Sequence, residues 1–275
     1  MNKTKIIQIT KEYGLAPNKK FGQNFLFDAN IITKIINAIQ PTETDNILEI
    51  GPGLGSLTEI LLQKAGSLTA VEIDAGIVKY LNTFVNKNNF SLIHCDFLKA
   101  EINLNFNKIV SNLPYYCASE ILFKIAQKFD ADLFVMMQKE MAERIIATPG
   151  TKNYGALSIT LGLHYKANIM FNVSGNAFYP SPDVASSFVM LKRLDLKLNV
   201  LELDMFKSLV KSAFWGRRKT LLTALVESPH LNFKKEELKE LILKSSLDEK
   251  CRGEQLSVDD FIRLTKNANH YTLRK

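Results

Sequence analysis

Cysteine is scarce in this chain, and its placement excludes two common roles. The three residues, Cys95, Cys117 and Cys251, stand far apart and form no CxxC pair. An odd, scattered set argues against a disulfide framework and against a zinc site, and fits a reducing compartment. Histidine is sparse as well, with four scattered residues and no cluster of metal-ligand spacing, so no metal is expected. No run of about 18 apolar residues is present, which argues against a membrane-spanning helix. The polar start, Met1-Asn2-Lys3-Thr4-Lys5, leads into no long apolar segment, so no secretory signal is expected. There is no internal repeat and no low-complexity tract. These absences point to a cytoplasmic, membrane-free protein, expected to be a monomer.

What is present is a large apolar share and an excess of basic charge. Of 275 residues, 46% are hydrophobic, enough for one large domain or one large and one small. The formal net charge is +7 and the pI about 9.1, compatible with a polyanionic partner.

The first half alternates strand and helix patterns. Residues 1–27 are mostly polar and basic, with Lys19-Lys20-Phe21-Gly22-Gln23-Asn24-Phe25-Leu26 as their distinctive part. Spacing alone makes that part a surface loop. Asp28 is placed to cap a helix with Ile31, Ile32, Ile35, Ile36 and Ile39 at helical spacing, ended by Pro41. A buried-type strand, Asn46 to Ile50, then runs into Gly51-Pro52-Gly53-Leu54-Gly55 and a helix from Ser56 to about Lys64. In strand, glycine loop and helix, backbone approaches a nucleotide closely. The dinucleotide fingerprint fails because Ser56 stands where its third glycine, or an alanine, belongs; the pattern is instead acidic-x-Gly-x-Gly-x-Gly from Glu49. A glycine loop alone is not specific, since a plain turn uses glycines too.

A second strand, Leu68 to Ile73, ends at Glu72-Ile73-Asp74, where an acid suits the two hydroxyls of a ribose. The competing reading, a helix cap, fits Asp74 better than Glu72. A third strand, Phe90 to Cys95, ends at Asp96, either an acceptor for an adenine amino group or a cap. A fourth, from Lys108, ends at Asn112-Leu113-Pro114-Tyr115-Tyr116. There the Asn112 amide oxygen and the carbonyl of Leu113 or Pro114 can accept hydrogens from an amine, Pro114 stiffens the backbone, and Tyr115 offers a stacking face. A strand-to-helix turn with core tyrosines explains the stretch as well. Right-handed crossovers place all four strands in one parallel sheet, with Gly51, Glu72, Asp96 and Asn112 along one edge.

A fifth strand, Asp132 to Gln138, and a helix, Lys139 to Ala147, follow. Leu157 to Tyr165, Asn168 to Val173 and Ala185 to Leu194 read as β. Phe178, ahead of Tyr179-Pro180-Ser181-Pro182, is either core or a stacking face, and the pattern leans to core. After Asp195 the pattern turns helical. Phe206, Leu209, Val210, Ala213 and Phe214 form one face, and Leu-rich, 235–244 and 257–265 helices follow. Ser257 and Asp260 make a capping-box variant. Arg217-Arg218-Lys219 is a solvated cluster or a phosphate contact. The expected domains are 1–195, with the basic segment 1–27, and a helical module over 196–275.

With these residues in place, the chain resembles the rRNA adenine N6,N6-dimethyltransferase family, and within it the type that acts on small-subunit (16S) rRNA. The resemblance lies in Lys20 to Leu26, Leu48 to Thr58, Val71 to Asp74, Asn112 to Tyr116, Tyr154-Gly155-Ala156-Leu157-Ser158, Phe178 with the prolines after it, and Ala213-Phe214 with Arg217 to Leu221. It spans almost the whole chain in family order. It implies a Rossmann-like S-adenosylmethionine-dependent methyltransferase sheet with a small C-terminal all-helical domain. It further implies dimethylation of two adjacent adenines near the 3′ end of small-subunit rRNA, a role in small-subunit biogenesis, and S-adenosylhomocysteine as the second product.

By analogy, Gln23, Asn24 and Leu26 close over the cofactor, Gly51 and Gly53 lie against its methionine portion, Glu72 holds the ribose and Asp96 the adenine. Asn112 to Tyr115 grip the target base, Phe178 stacks on its other face, and Arg217, Arg218 and Lys219 bind RNA. Ala156 departs from a larger, often basic, residue in relatives, and Tyr116 stands at a variable position. The alternatives are a large-subunit rRNA dimethyltransferase, opposed by the Arg217–Leu221 segment; a DNA adenine methyltransferase, opposed by Asn112 where Asp is usual; and a non-catalytic assembly factor, opposed by the intact Gly51 and Asn112 motifs.

Overall fold

In the computed structural model, residues 1–15, 22–84, 88–216 and 218–268 are described. The chain divides into two compact units, Met1–Ala142 with Ala167–Arg193, and Glu143–Lys166 with Leu194–Lys275. The second division lies close to the boundary expected at 195. The first does not: residues 143–166, expected in the sheet domain, belong to the helical unit.

The first unit holds α1 (Lys3–Glu12), β1 (Phe25–Leu26), α2 (Ala29–Ile39), β2 (Asn46–Ile50), α3 (Thr58–Lys64), β3 (Ser67–Glu72), α4 (Ala75–Leu81), β4 (Phe90–His94), β5 (Lys108–Asn112), α5 (Ala118–Lys128) and β6 (Asp132–Gln138). α6 (Lys139–Ile145) leads out of it, and β7 (Tyr165–Val173), β8 (Phe178–Tyr179) and β9 (Ser186–Arg193) complete it. Seven strands form one sheet in the order β4-β3-β2-β5-β6-β9-β7. β2 to β6 run parallel, and β9 runs antiparallel to β6. The central strands are apolar because helices cover both faces of a parallel sheet. β7, last in the order, alternates buried and exposed positions, as an edge strand with one wet face must.

Local chemistry starts and stops the helices. Asp28 accepts from the main-chain N–H groups of Asn30 and Ile31 and so caps α2, whose Ile32, Ile35, Ile36 and Ile39 are buried. Asp74 does the same for α4 through Gly76 and Ile77, the capping role its sequence position favours. Ile32, Ile35 and Ile36 join Ile47, Leu61, Val110, Phe134 and Phe188 in the main core. A second, two-stranded sheet was not visible in the sequence: β1 pairs with β8, setting Phe25 opposite Tyr179 and Leu26 opposite Phe178. Strands of two residues carry no periodic signal.

The second unit is helical: α7 (Ala156–Gly162), α8 (Val200–Ala213), α9 (Leu221–Glu227), α10 (Lys235–Lys244) and α11 (Val258–Ala268). Leu157 to Tyr165, expected as β, forms α7 and only then enters β7. Its Leu-Ser-Ile-Thr-Leu alternation mimics a strand, but Ile159 and Leu163, one helical turn apart, pack into the helical core. Phe206, Leu209, Val210 and Ala213 are buried as their spacing requires, and Phe214 packs at the margin. Ser257 and Asp260 exchange hydrogen bonds at the start of α11, with the Ser257 N–H to Asp260 Oδ2 at 2.8 Å and the Asp260 N–H to Ser257 Oγ at 3.2 Å. Among the described residues, no helix is long and apolar enough to cross a membrane.

Candidate active site

The parallel register brings the ends of β2, β3, β4 and β5 to one edge of the sheet, as the motif order requires. A cavity opens there. Its walls include Gln23, Asn24 and Leu26, the loop from Gly51 to Leu54, Glu49, Glu72, and Asn112 to Tyr116. Of the twelve residues expected at the site outside the basic cluster, Phe178 and Asp96 are missing from this lining.

The glycine loop is bent by left-handed backbone at Gly51 (φ +66°) and Gly53 (φ +54°), conformations that disfavour any other residue. At Gly53 space is limiting too, since a Cβ there would lie 3.2 Å from the Phe25 ring. At Gly51 a Cβ would meet nothing within 4 Å, so this face of the loop is open to a ligand. Ser56 ties the loop to β1 by donating to the Leu26 carbonyl at 2.5 Å.

Two buried carboxyls stand behind the loop. Glu49 accepts from Thr58 Oγ1 at 2.7 Å. Burial, reinforced by the negative charge of Glu72, pushes its carboxyl up to about 7, against the pull of the Thr58 hydrogen bond. The Glu72 carboxyl is also raised, by burial first, while main-chain N–H groups of Asp74, Ile73 and Gly53 oppose the rise. Its Oε1 takes the N–H groups of Ile73 and Asp74, each at 2.9 Å. A carboxylate has about four acceptor sites, so capacity remains for hydroxyl groups.

The opposite wall is the end of β5. Asn112 Nδ2 donates to the Asn24 carbonyl at 3.0 Å. That bond sets which way round the amide stands and leaves Oδ1 as the acceptor. The Pro114 carbonyl accepts from the Cys117 N–H, closing a short turn. The Leu113 N–H is tied to the Met136 carbonyl at 2.9 Å. The Tyr115 hydroxyl is hydrogen-bonded to Ser186 Oγ at 2.6 Å, which holds the ring. Burial pushes the Tyr115 phenol up, so it stays protonated. Tyr116, by contrast, is 62% exposed. Gln23 Nε2 donates to Asp74 Oδ2 at 2.9 Å, joining the N-terminal segment to the cap of α4.

Phe178 is 3% exposed, pairs opposite Leu26 and lies in the main core, as its sequence pattern leans, so its ring is not the free stacking face that the resemblance implies. Asp96 lies at the end of β4 as expected but caps the following turn, accepting from the Leu98 N–H at 2.9 Å. The basic cluster is only partly described: Arg217 lies outside the described residues, as do Lys19, Lys20 and Phe21, Arg218 is exposed, and Lys219 is ion-paired with Glu227. Residues that sequence reasoning did not assign are Glu49, visible only as the head of the glycine motif, and Ser56 and Ser186, which carry no local signal.

Comparison with known proteins agrees with this geometry. The profile of the family described as "Ribosomal RNA adenine dimethylase" matches residues 14–269. Ribosomal RNA small subunit methyltransferase A of Borrelia garinii subsp. bavariensis is 40% identical over 274 residues, covering 98% of this chain and 94% of that protein. The protein of the same name from Clostridioides difficile is 38% identical, covering 95% and 94%. Among solved structures, a dimethyladenosine transferase from Plasmodium falciparum superposes with a TM-score of 0.80 at 27% identity, over 90% of this chain and 98% of that one. The 23S rRNA methyltransferase ErmE shares the fold, with a TM-score of 0.67 at 23% identity over 89% and 99%. The fold is therefore a Rossmann-like methyltransferase sheet with a helical C-terminal part, and the chain belongs to the ribosomal RNA adenine dimethylase family.

Proposed function

We propose that this chain transfers methyl groups from S-adenosylmethionine to the N6 amines of two adjacent adenines near the 3′ end of small-subunit (16S) rRNA, as a step in small-subunit biogenesis in the cytoplasm. The observation that carries this reading is near-full-length similarity to proteins named small subunit methyltransferase A, combined with a cavity that sets an acidic glycine loop opposite Asn112. The names of the relatives that match over at least 94% of each chain, small subunit methyltransferase A, support it over the large-subunit alternative.

The residues present fit the cofactor. Gly51 leaves open space for the methionine portion, and the Glu72 carboxylate keeps acceptor capacity for ribose hydroxyls. Gln23, Asn24, Leu26 and Gly53 close the cradle. Asp96, at the end of the next strand and not itself part of that lining, takes the adenine amine through the carboxylate oxygen that Leu98 does not use. When bound, S-adenosylmethionine supplies an electrophilic sulfonium methyl group.

The rest of the chemistry belongs to the chain. An adenine N6 lone pair is delocalised into the ring and is a poor nucleophile. Asn112 Oδ1 accepts one of its hydrogens. The Leu113 carbonyl accepts the other; the Pro114 carbonyl already takes the Cys117 N–H. Both contacts favour a pyramidal nitrogen with its lone pair aimed across the cavity, so catalysis is positioning plus electrostatic stabilisation. No general base is required, because the nitrogen becomes acidic once methylated and its proton leaves to water. Tyr115, fixed by Ser186, stacks on the base, which must leave its own stack to enter. Arg217 and Arg218 contact phosphate, with Lys219 moderated by Glu227.

The test is methylation of naked rRNA, immature small subunits and large subunits, with the products mapped to individual nucleotides. Dimethylation confined to two neighbouring adenines of immature small subunits is expected. Modification of large subunits, or binding without methyl transfer, overturns the reading.

A further inference from the structure

Asp96 stands near the start of the loop between β4 and β5, and one ammonium group holds the main chain of that loop. Lys124, on α5, donates to the carbonyls of Phe97 at 2.7 Å, Leu98 at 3.0 Å and Ala100 at 2.6 Å. Three N–H donors meet three acceptors, the full capacity of a lysine head group. The same ammonium lies 5.2 Å from the centroid of the Phe97 ring, which is buried and stacks on Phe129. Asp96 closes the turn from its other end: Oδ1 accepts from the Leu98 N–H, and its carbonyl accepts from the N–H groups of Lys99 and Ala100. Asp96 and Lys124 therefore grip the same turn, one through its N–H groups and the other through its carbonyls.

We propose that Lys124 is a positioning residue for Asp96: it holds the 96–100 turn so that the carboxylate oxygen not engaged by Leu98 faces the adenine edge of the cofactor. The inference rests on the role given to Asp96 under the proposed function. Without the ammonium, three converging carbonyl dipoles face one another unopposed. The turn relaxes to hydrate them, and Asp96, capped onto that turn, rotates with it. α5 begins just after the Asn112–Tyr116 stretch, so one helix carries the target-base end and the cofactor-adenine end of the site.

The experiment is calorimetric binding of S-adenosylhomocysteine and of its inosine analogue, in which a carbonyl acceptor replaces the adenine amine. The proteins are full-length wild type, Lys124→Met, Lys124→Gln, Lys124→Arg and Asp96→Asn. A site built to accept from an amine rejects an analogue that lacks it. Wild type is expected to prefer the adenine compound. In Lys124→Met that preference falls about tenfold, because adenine binding weakens while the inosine analogue binds as before, and Lys124→Arg restores part of it. Lys124→Gln carries the test if the methionine variant lacks a cooperative thermal transition. Equal weakening of both compounds, or an unchanged preference, overturns the inference. Asp96→Asn, which offers a donor to the inosine carbonyl, should shift preference toward the analogue. If it does not, the Asp96 reading fails and this inference with it; if it does while the Lys124 variants keep the wild-type preference, the inference alone fails.

Discussion

The side-chain amide of Asn112 donates to the main-chain carbonyl of Asn24 at 3.0 Å, joining the end of β5 to the residue ahead of β1 across 88 positions of chain. The bond holds the amide with its oxygen free for the target amine. Asn112→Ala removes both functions, and loss of one preorganised transition-state contact costs ~10²–10³ in rate. Asn112→Asp keeps an acceptor but meets the Asn24 carbonyl without a donor, so its rate should fall between. Single-turnover methylation measures this. Subunit binding should survive in both, since phosphate contacts supply most of that affinity; a wild-type rate in the alanine variant contradicts the assignment.

Glu72→Ala should weaken S-adenosylmethionine by about 1.5–3 kcal/mol, the range for hydrogen bonds to a charged group. The fold should persist, because the change removes a buried carboxyl whose ionisation burial already disfavours. Calorimetry on the folded variant decides, and unchanged affinity would refute the ribose role.

Glu49 links the site to stability. Its carboxyl titrates near 4.5 when unfolded and about 7 in the fold, so the folded chain holds the proton more tightly. Its contribution is fully present below pH 4.5 and is lost as pH rises through about 7. At 1.36 kcal/mol per unit, the loss is roughly 3 kcal/mol. Glu49→Gln cannot titrate, and its amide oxygen can still accept from Thr58. Wild type should therefore lose about that much relative to Glu49→Gln across this window in denaturant titrations without cofactor. Parallel profiles would count against it.

Replacing Arg217 and Arg218 together with alanine should flatten the salt dependence of subunit binding by roughly one to two units of slope and leave cofactor affinity alone. Lys219→Ala should change the slope less, because Glu227 already neutralises that ammonium. An unaltered slope in the double variant returns the cluster to a solvated surface.

Much of this site was legible because its parts follow one another along the chain. Gly51, Glu72 and Asn112 each sit at a strand end, and a parallel sheet gathers such ends on one edge. What escaped notice depends on partners distant in sequence. β1 and β8 are too short for any period, so nothing local shows that Leu26 meets Phe178, even though the pattern around that ring leans to core. Ser186 gains its role only when β9 lies beside β6. Leu157 to Tyr165 alternates like a strand, and the packing of Ile159 and Leu163 overrides that pattern. The role of the Asn24 main-chain carbonyl carries no side-chain signature at all.

The interleaving of the two units bears on how the chain is made. The sheet unit closes only after Glu143–Lys166 has been emitted, because β9, the partner of β6, lies beyond that segment. Until β9 emerges from the ribosome, β6 presents an unpaired edge rich in Leu, Phe, Val and Met, an invitation to wrong pairing. The helical unit must in turn wait for α8 to α11 before α7 finds its core. A protein severed at residue 195 would leave α7 on one piece and the rest of its core on the other. Ile159 and Leu163 would then be bare on the first piece and missing from the second, so neither piece should behave as an independent module in solution.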